Sequence, residues 1–302
     1  MKRFFRAFAF LSAFFLAAAF AVPAGAYNQP PLNLGLTNVL DQPPGPGLYF
    51  FEYIQTYEAT TFKDPNGNQD THFAGEKVDL LLSFNQLIWV SEARVLGGNF
   101  GIDLIQPLVV INTKNKGLTA NPSHFGDPIV GPFIQWFGHR LFGMPYLHRF
   151  ELDVVLPLGS YNSDYLLNPG SNIYTVEPYY AFTLFFTPRL STSWRIHYTY
   201  NGENDDTDRK PGQAFHFNYS LEYEVVKDFR VAVAGYYLKQ LTEDEVSGVK
   251  QSDTKEEVFA IGPAFFWSPP GKLTIGLKTA VETGAKNRPE GTRTTLRFIW
   301  KF

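Results

Sequence analysis

Two histidines and two serines fall on one face of neighbouring strand-like stretches: Ser193 and His197 in Leu190–Asn201, His216 and Ser220 in Gln213–Val225. A hydrolase would need such a pair together with a third group that orients the imidazole. Their surroundings point to other chemistry. The same inward phase collects Glu151, Asp153, Glu177, Arg195, Glu222, Glu224, Lys278, Glu282, Arg293, Arg297 and Lys301. Both signs are present in quantity, which describes an ion-pair network filling a narrow interior better than it describes an activated nucleophile. No catalytic residue, and so no enzyme, is expected. No Cys/His or carboxylate spacing suggests a metal ligand set, no cofactor is implied, and Asp205, Asp206 and Asp208 read as an acidic exposed loop.

The elements that must carry these residues are strands. From Gln213 to Val225, Phe215, Phe217, Tyr219, Leu221, Tyr223 and Val225 share one face, while His216, Asn218, Ser220, Glu222 and Glu224 share the other. That is the pattern of a strand with lipid on one side and a polar lumen on the other. The closing stretch Thr292–Phe302 alternates as clearly, and nine further segments repeat the pattern with less contrast: Leu48–Thr60, Val78–Val90, Asn99–Ile111, Asp127–Phe137, Tyr146–Leu158, Ile173–Thr187, Phe229–Leu241, Glu256–Trp267 and Leu273–Glu282. With Leu190–Asn201 they predict an all-β fold, a transmembrane antiparallel barrel of about 12 strands, with ten or fourteen also compatible. Short links such as Val226–Asp228 alternate with longer polar ones such as Gly159–Asn172 and Thr283–Gly291, as periplasmic turns alternate with extracellular loops. The last stretch, ending on Phe302, resembles the terminal strand that the barrel assembly machinery recognises.

Aromatic residues make up 17% of the chain, there is no cysteine, and no stretch beyond residue 22 is long and apolar enough to cross as a helix. Only helices and closed barrels satisfy every backbone group in lipid, so strands must do it here. Lys2, Arg3 and Arg6 precede an apolar run from Ala7 to Val22 and the small residues Ala24-Gly25-Ala26, a secretory leader expected to be cleaved after Ala26. Losing those three cations takes the formal net charge from −3 to −6, which disfavours nucleic acid as a partner. Residues 27–47 carry Pro30, Pro31, Pro43, Pro44 and Pro46 without alternation and are no membrane strand. They form either a periplasmic tail or a plug in the lumen, and Leu32, Leu34, Leu36, Val39 and Leu40 favour the plug. The barrel proper is residues 48–302.

Several short motifs add to this. Phe125-Gly126-Asp127-Pro128-Ile129-Val130-Gly131-Pro132 is similar to the G-D-x-x-x-G-P segment of the SphA-like family, also labelled as phenol-degradation meta-pathway outer-membrane proteins. Pro43–Tyr49, Leu156–Tyr161, Asn168–Asn172 and Gly262-Pro263 resemble further parts of that pattern, in order, over nearly the whole chain beyond residue 26. The resemblance implies a bacterial outer-membrane barrel that passes small hydrophobic molecules, aromatic ones among them, beyond the lipopolysaccharide, and no catalysis. A general pore for polar solutes and a structural or adhesive barrel are the alternatives.

On that reading the substrate path runs past Glu151, Asp153, Glu177, Phe185, Arg195, His197, His216, Glu222, Phe259, Arg293 and Arg297. Closure should bring Arg293, Arg297 and Lys301 near Glu52 and Glu58 of the opening strand. Tyr179, Phe185, Phe259, Phe265 and Trp267 also fall in the nominal inward phase, with Leu81 and Leu87 near by. They form either an apolar track or, as favoured for Trp267, part of an interfacial girdle.

Overall fold

Alternation of side chains predicts strands, and in the computed structural model the strands close on themselves. Twelve antiparallel strands form one barrel. They are β1 (Gly47–Phe62), β2 (Val78–Val95), β3 (Gly98–Thr113), β4 (Ile129–Leu141), β5 (Met144–Val155) and β6 (Thr175–Phe185). Then follow β7 (Leu190–Asn201), β8 (Ala214–Val226), β9 (Phe229–Gln240), β10 (Glu257–Trp267), β11 (Leu273–Lys286) and β12 (Pro289–Lys301). Each pairs with its chain neighbours, and β12 returns to β1 in the register Tyr49↔Lys301, Tyr53↔Arg297, Tyr57↔Arg293. The structure describes residues 29–30, 33–37, 39–40, 42–43, 45–114, 117–271 and 273–302. The expected leader and its cleavage after Ala26 lie outside the described residues, as does Leu32.

One rim carries tight turns. At Leu96-Gly97 and Phe142-Gly143 both residues have positive φ, between 49° and 79°, the mirror-type turn whose twist matches a hairpin. The opposite rim carries the long connections, with one departure. The expected loop at Thr283–Gly291 shrinks to Asn287 and Arg288, because β11 runs on to Lys286 and β12 starts at Pro289. Arg288 folds inward there and pairs with Glu256 (3.4 Å) and Glu282 (3.7 Å), which holds the hairpin tip over the barrel.

The G-D-x-x-x-G-P segment explains how the loops are tied down. Asp127 is buried and accepts hydrogen bonds from Gly159 N (2.9 Å), Ser171 N and Ser171 Oγ (2.6 Å each), pinning both ends of the β5–β6 loop to the start of β4. Gly131 lies under the carboxylates of Asp153 and Glu151, which an added Cβ would strike. Asp127→Ala leaves three donors without their acceptor and should cost about 3 kcal/mol. Protease nicking between residues 156 and 174 is the readout, and an unchanged nicking rate would remove Asp127 from this role.

Outward positions are apolar and meet lipid: Ile54, Leu81, Leu104, Phe150, Leu221 and Leu277 are all exposed. The inward face of β1 was misphased by the sequence. Tyr49, Phe51, Tyr53, Gln55 and Tyr57 point in, whereas Glu52 and Glu58 point out. Glu52 is satisfied on the outer surface, where Ser83 Oγ donates to it (2.7 Å), so Arg293 and Arg297 do not meet it.

The described residues between 29 and 46 lie inside the barrel. Gln29, Leu34, Leu36, Thr37, Val39 and Gln42 are all buried. Their backbone carries no ladder, so its polar groups are taken up by side chains from the wall. Asn218 Oδ1 accepts from Gly35 N (2.8 Å), Arg297 Nη2 donates to Val39 O (2.6 Å) and Gln135 Nε2 donates to Pro43 O (2.7 Å). Apolar contact completes the seat: Leu34 packs with Ala214, Ala260 and Ala280, and Val39 with Ala234, Ala264 and Phe266. Small side chains on β8–β11 leave the room that the segment occupies.

Candidate functional site

The lumen is built in layers, each set by which side chains the strands turn inward. Toward the tight-turn rim the layer is apolar: Tyr49, Phe51, Tyr53, Phe84, Ile88 and Phe133 cluster around Leu36. These residues come from β1, β2 and β4. Above it on one wall, Arg149 Nη1 donates to Glu151 Oε2 (2.8 Å) and its Nη2 to Gln135 Oε1 (2.8 Å), with the guanidinium 3.8 Å over the Phe133 ring. Tyr179 donates to Glu151 and Gln86 to Asp103, while Arg195 lies over the Tyr179 ring (4.4 Å).

Next along the wall, Glu177 meets two imidazoles. His197 Nδ1 is 2.7 Å from Glu177 Oε1 and His216 Nε2 is 3.2 Å from Oε2. The two rings stack at 4.2 Å with planes 12° apart. Thr199 Oγ1 donates to Glu177 Oε2 (2.7 Å), and Asp153 is the cross-strand neighbour of Glu177. On the opposite wall, Tyr57 and Tyr236 both donate to Glu282 (2.7 Å each), and Arg293 donates to Gln55 Oε1 (2.8 Å). Glu222 accepts from Ser191 (2.8 Å), Ser220 (2.6 Å) and Leu40 N (3.2 Å), and Arg297 sits over Phe266 (4.7 Å).

The expected lumen residues Glu151, Asp153, Glu177, Arg195, His197, His216, Glu222, Arg293 and Arg297 therefore all face inward. They are not one site but a belt on both walls, separated by the segment between 29 and 46. Phe185 keeps the inward phase at the tight-turn rim, with Arg230 6.0 Å from its ring. Phe259 does not. It lies on the lipid face, stacked on Tyr219 at 6.0 Å, and Phe265 and Trp267 are exposed beside it, as are Leu81 and Leu87. The inward face of β10 is instead Val258, Ala260, Ala264 and Phe266, because the inner segment packs there and leaves no room for a full row of aromatics.

Both serine hydroxyls have partners other than an imidazole. Ser193 Oγ pairs with Thr183 (2.9 Å) and Ser220 Oγ with Glu222. Two small cavities, one beside Gly35 and Tyr236 and one beside Val39 and Phe266, each have room for about one water molecule.

Sequence reasoning missed Arg149, Arg288, Tyr236 and the aromatic row of β1. Arg149 carried a usable signal, since it shares the phase of Glu151 and Asp153.

The model of the family described as "Putative MetA-pathway of phenol degradation" matches residues 59–298. No curated protein matches the chain in sequence. Among solved structures, it is similar to the COG4313 outer membrane channel from Pseudomonas putida F1. The TM-score is 0.75 and the identity 15%, covering 86% of this chain and 97% of that one. It is more distantly similar to the KdgM porin, with a TM-score of 0.41, 10% identity, and 84% and 99% covered. To the CymD monoaromatic hydrocarbon channel the TM-score is 0.40 and the identity 6%, with 85% and 89% covered. The first of these likenesses establishes the fold as that of a bacterial outer-membrane barrel, its outer face against lipid.

Proposed function

The chain belongs to that phenol-degradation family, and from this premise we propose that it is an outer-membrane channel for uptake of small hydrophobic compounds, aromatic ones among them. The observation that carries the reading is the layer of Tyr49, Phe51, Tyr53, Phe84, Ile88 and Phe133 turned into the lumen. A water-filled porin has a polar interior, whereas this layer, now covered by Leu36, presents apolar surface once the inner segment moves off it. The solute is captured among the loops, passes the mixed polar belt, and is released past the apolar layer when the segment between 27 and 47 shifts. That segment acts as the plug. Residues 1–26 direct export and are removed, the strand ending at Phe302 is read by the barrel assembly machinery, and the loops lie among lipopolysaccharide. No cofactor and no catalytic step is invoked.

Initial uptake by intact cells lacking the protein, with and without its gene restored, tests the reading. A labelled aromatic hydrocarbon should enter faster on restoration while a labelled small sugar does not. Sugar uptake that rises instead would make the protein a porin for polar solutes. No change in either would favour a structural or adhesive barrel.

A further inference from the structure

We propose that Glu177, His197 and His216 bind one divalent transition-metal ion of the zinc class in the lumen wall. They come from three adjacent strands, β6, β7 and β8, with His197 directly opposite His216 in the ladder. One ligand atom from each lies within 4.8 Å of the others, and all three residues are buried. Two imidazoles with one carboxylate suit zinc, cobalt or nickel, while calcium and magnesium take oxygen ligands. Side chains on paired strands keep the three residues close, and the two stacked rings have to tilt apart for their lone pairs to converge on one ion.

Two details go beyond a plain hydrogen-bonded trio. His197 Nε2 and His216 Nδ1 have no hydrogen-bond partner among the described residues, although both rings are fully buried. Buried polar atoms are rarely left so, and hydrogen bonding within the trio therefore leaves both rings incompletely satisfied. Thr199 meanwhile holds the Glu177 carboxylate, as outer partners orient metal ligands elsewhere. The charges nearby are mixed: Asp153 adds a carboxylate across from Glu177, and Arg195 stands two residues from His197 with its guanidinium turned over Tyr179. Sequence spacing hides the trio, because the barrel rather than a local motif brings residues 177, 197 and 216 together.

The ion would join three strands at a level between two anchors of the inner segment. Gln29 is held by Asn201 (3.0 Å) on one side of it, and Asn33 by Asn218 (2.9 Å) on the other. Full-length protein in detergent, stripped with chelator, exposed to zinc and passed through gel filtration should retain one zinc per chain. Glu177→Gln, His197→Asn and His216→Asn should each lower retention about 10-fold or more. His72→Gln, at a histidine whose side chain is 82% exposed in a loop, should not. A second readout needs no variant: cobalt bound to the unmodified barrel should give the intense visible bands of a low-coordinate site. Retention that is unchanged in the triple variant, or a folded unmodified barrel that shows no cobalt bands, overturns the proposal.

Discussion

Deleting residues 27–46 should turn a nearly closed barrel into one with a stable single-channel conductance several-fold above the parent's. The described part of this segment fills the lumen, and its seat is lined by alanines that cannot close the gap by themselves. Asn218, Arg297, Lys278 and Gln135 lose backbone partners on deletion. Water entering the emptied lumen replaces those bonds, so the wall itself should survive. Because both signs line the lumen, the opened pore should discriminate weakly between anions and cations. Planar-bilayer recording of parent and deletion side by side decides it. Equal conductance would mean that the segment does not plug the barrel.

The largest effect on stability should come from Arg149. It is fully buried, paired with the equally buried Glu151, and held by Gln135. Arg149→Leu strands a carboxylate in the wall, and breaking such a pair on one side costs about 3–5 kcal/mol. The double variant Arg149→Leu with Glu151→Leu removes both charges and should recover most of that loss, since the pair's desolvation disappears with it. Urea unfolding in lipid bilayers, followed by Trp fluorescence, measures both. A single variant within about 1 kcal/mol of the parent would show that the ion pair is not what holds this layer.

The barrel was readable because lipid on one side and a packed polar lumen on the other impose strict alternation, strongest at Phe215–Val225. Phase was readable wherever charge marked the inner face, as with Glu177, Arg195, Arg293 and Arg297. It failed where the inner segment inverts the usual rule. In β1 the inward row is aromatic and Glu52 lies outside, while in β10 the inward row is mostly small and Phe259 lies outside. Both inversions follow from what fills the lumen, and no single strand's sequence states that. The Glu177, His197 and His216 trio is likewise a property of closure, since each ligand is an unremarkable polar residue on its own strand.

The inner segment also constrains how the molecule can be made. It precedes β1 directly and touches β4, β8, β9, β11 and β12, so it can gather both walls before β1 and β12 zip together, although the barrel closes without it. That last pairing joins residues about 240 positions apart and pays the largest loop-closure entropy in the chain. A segment already bonded to both walls shortens the search by holding the open edges at the right separation. The element that obstructs the finished pore would then serve, during folding, as the mandrel around which the sheet rolls up.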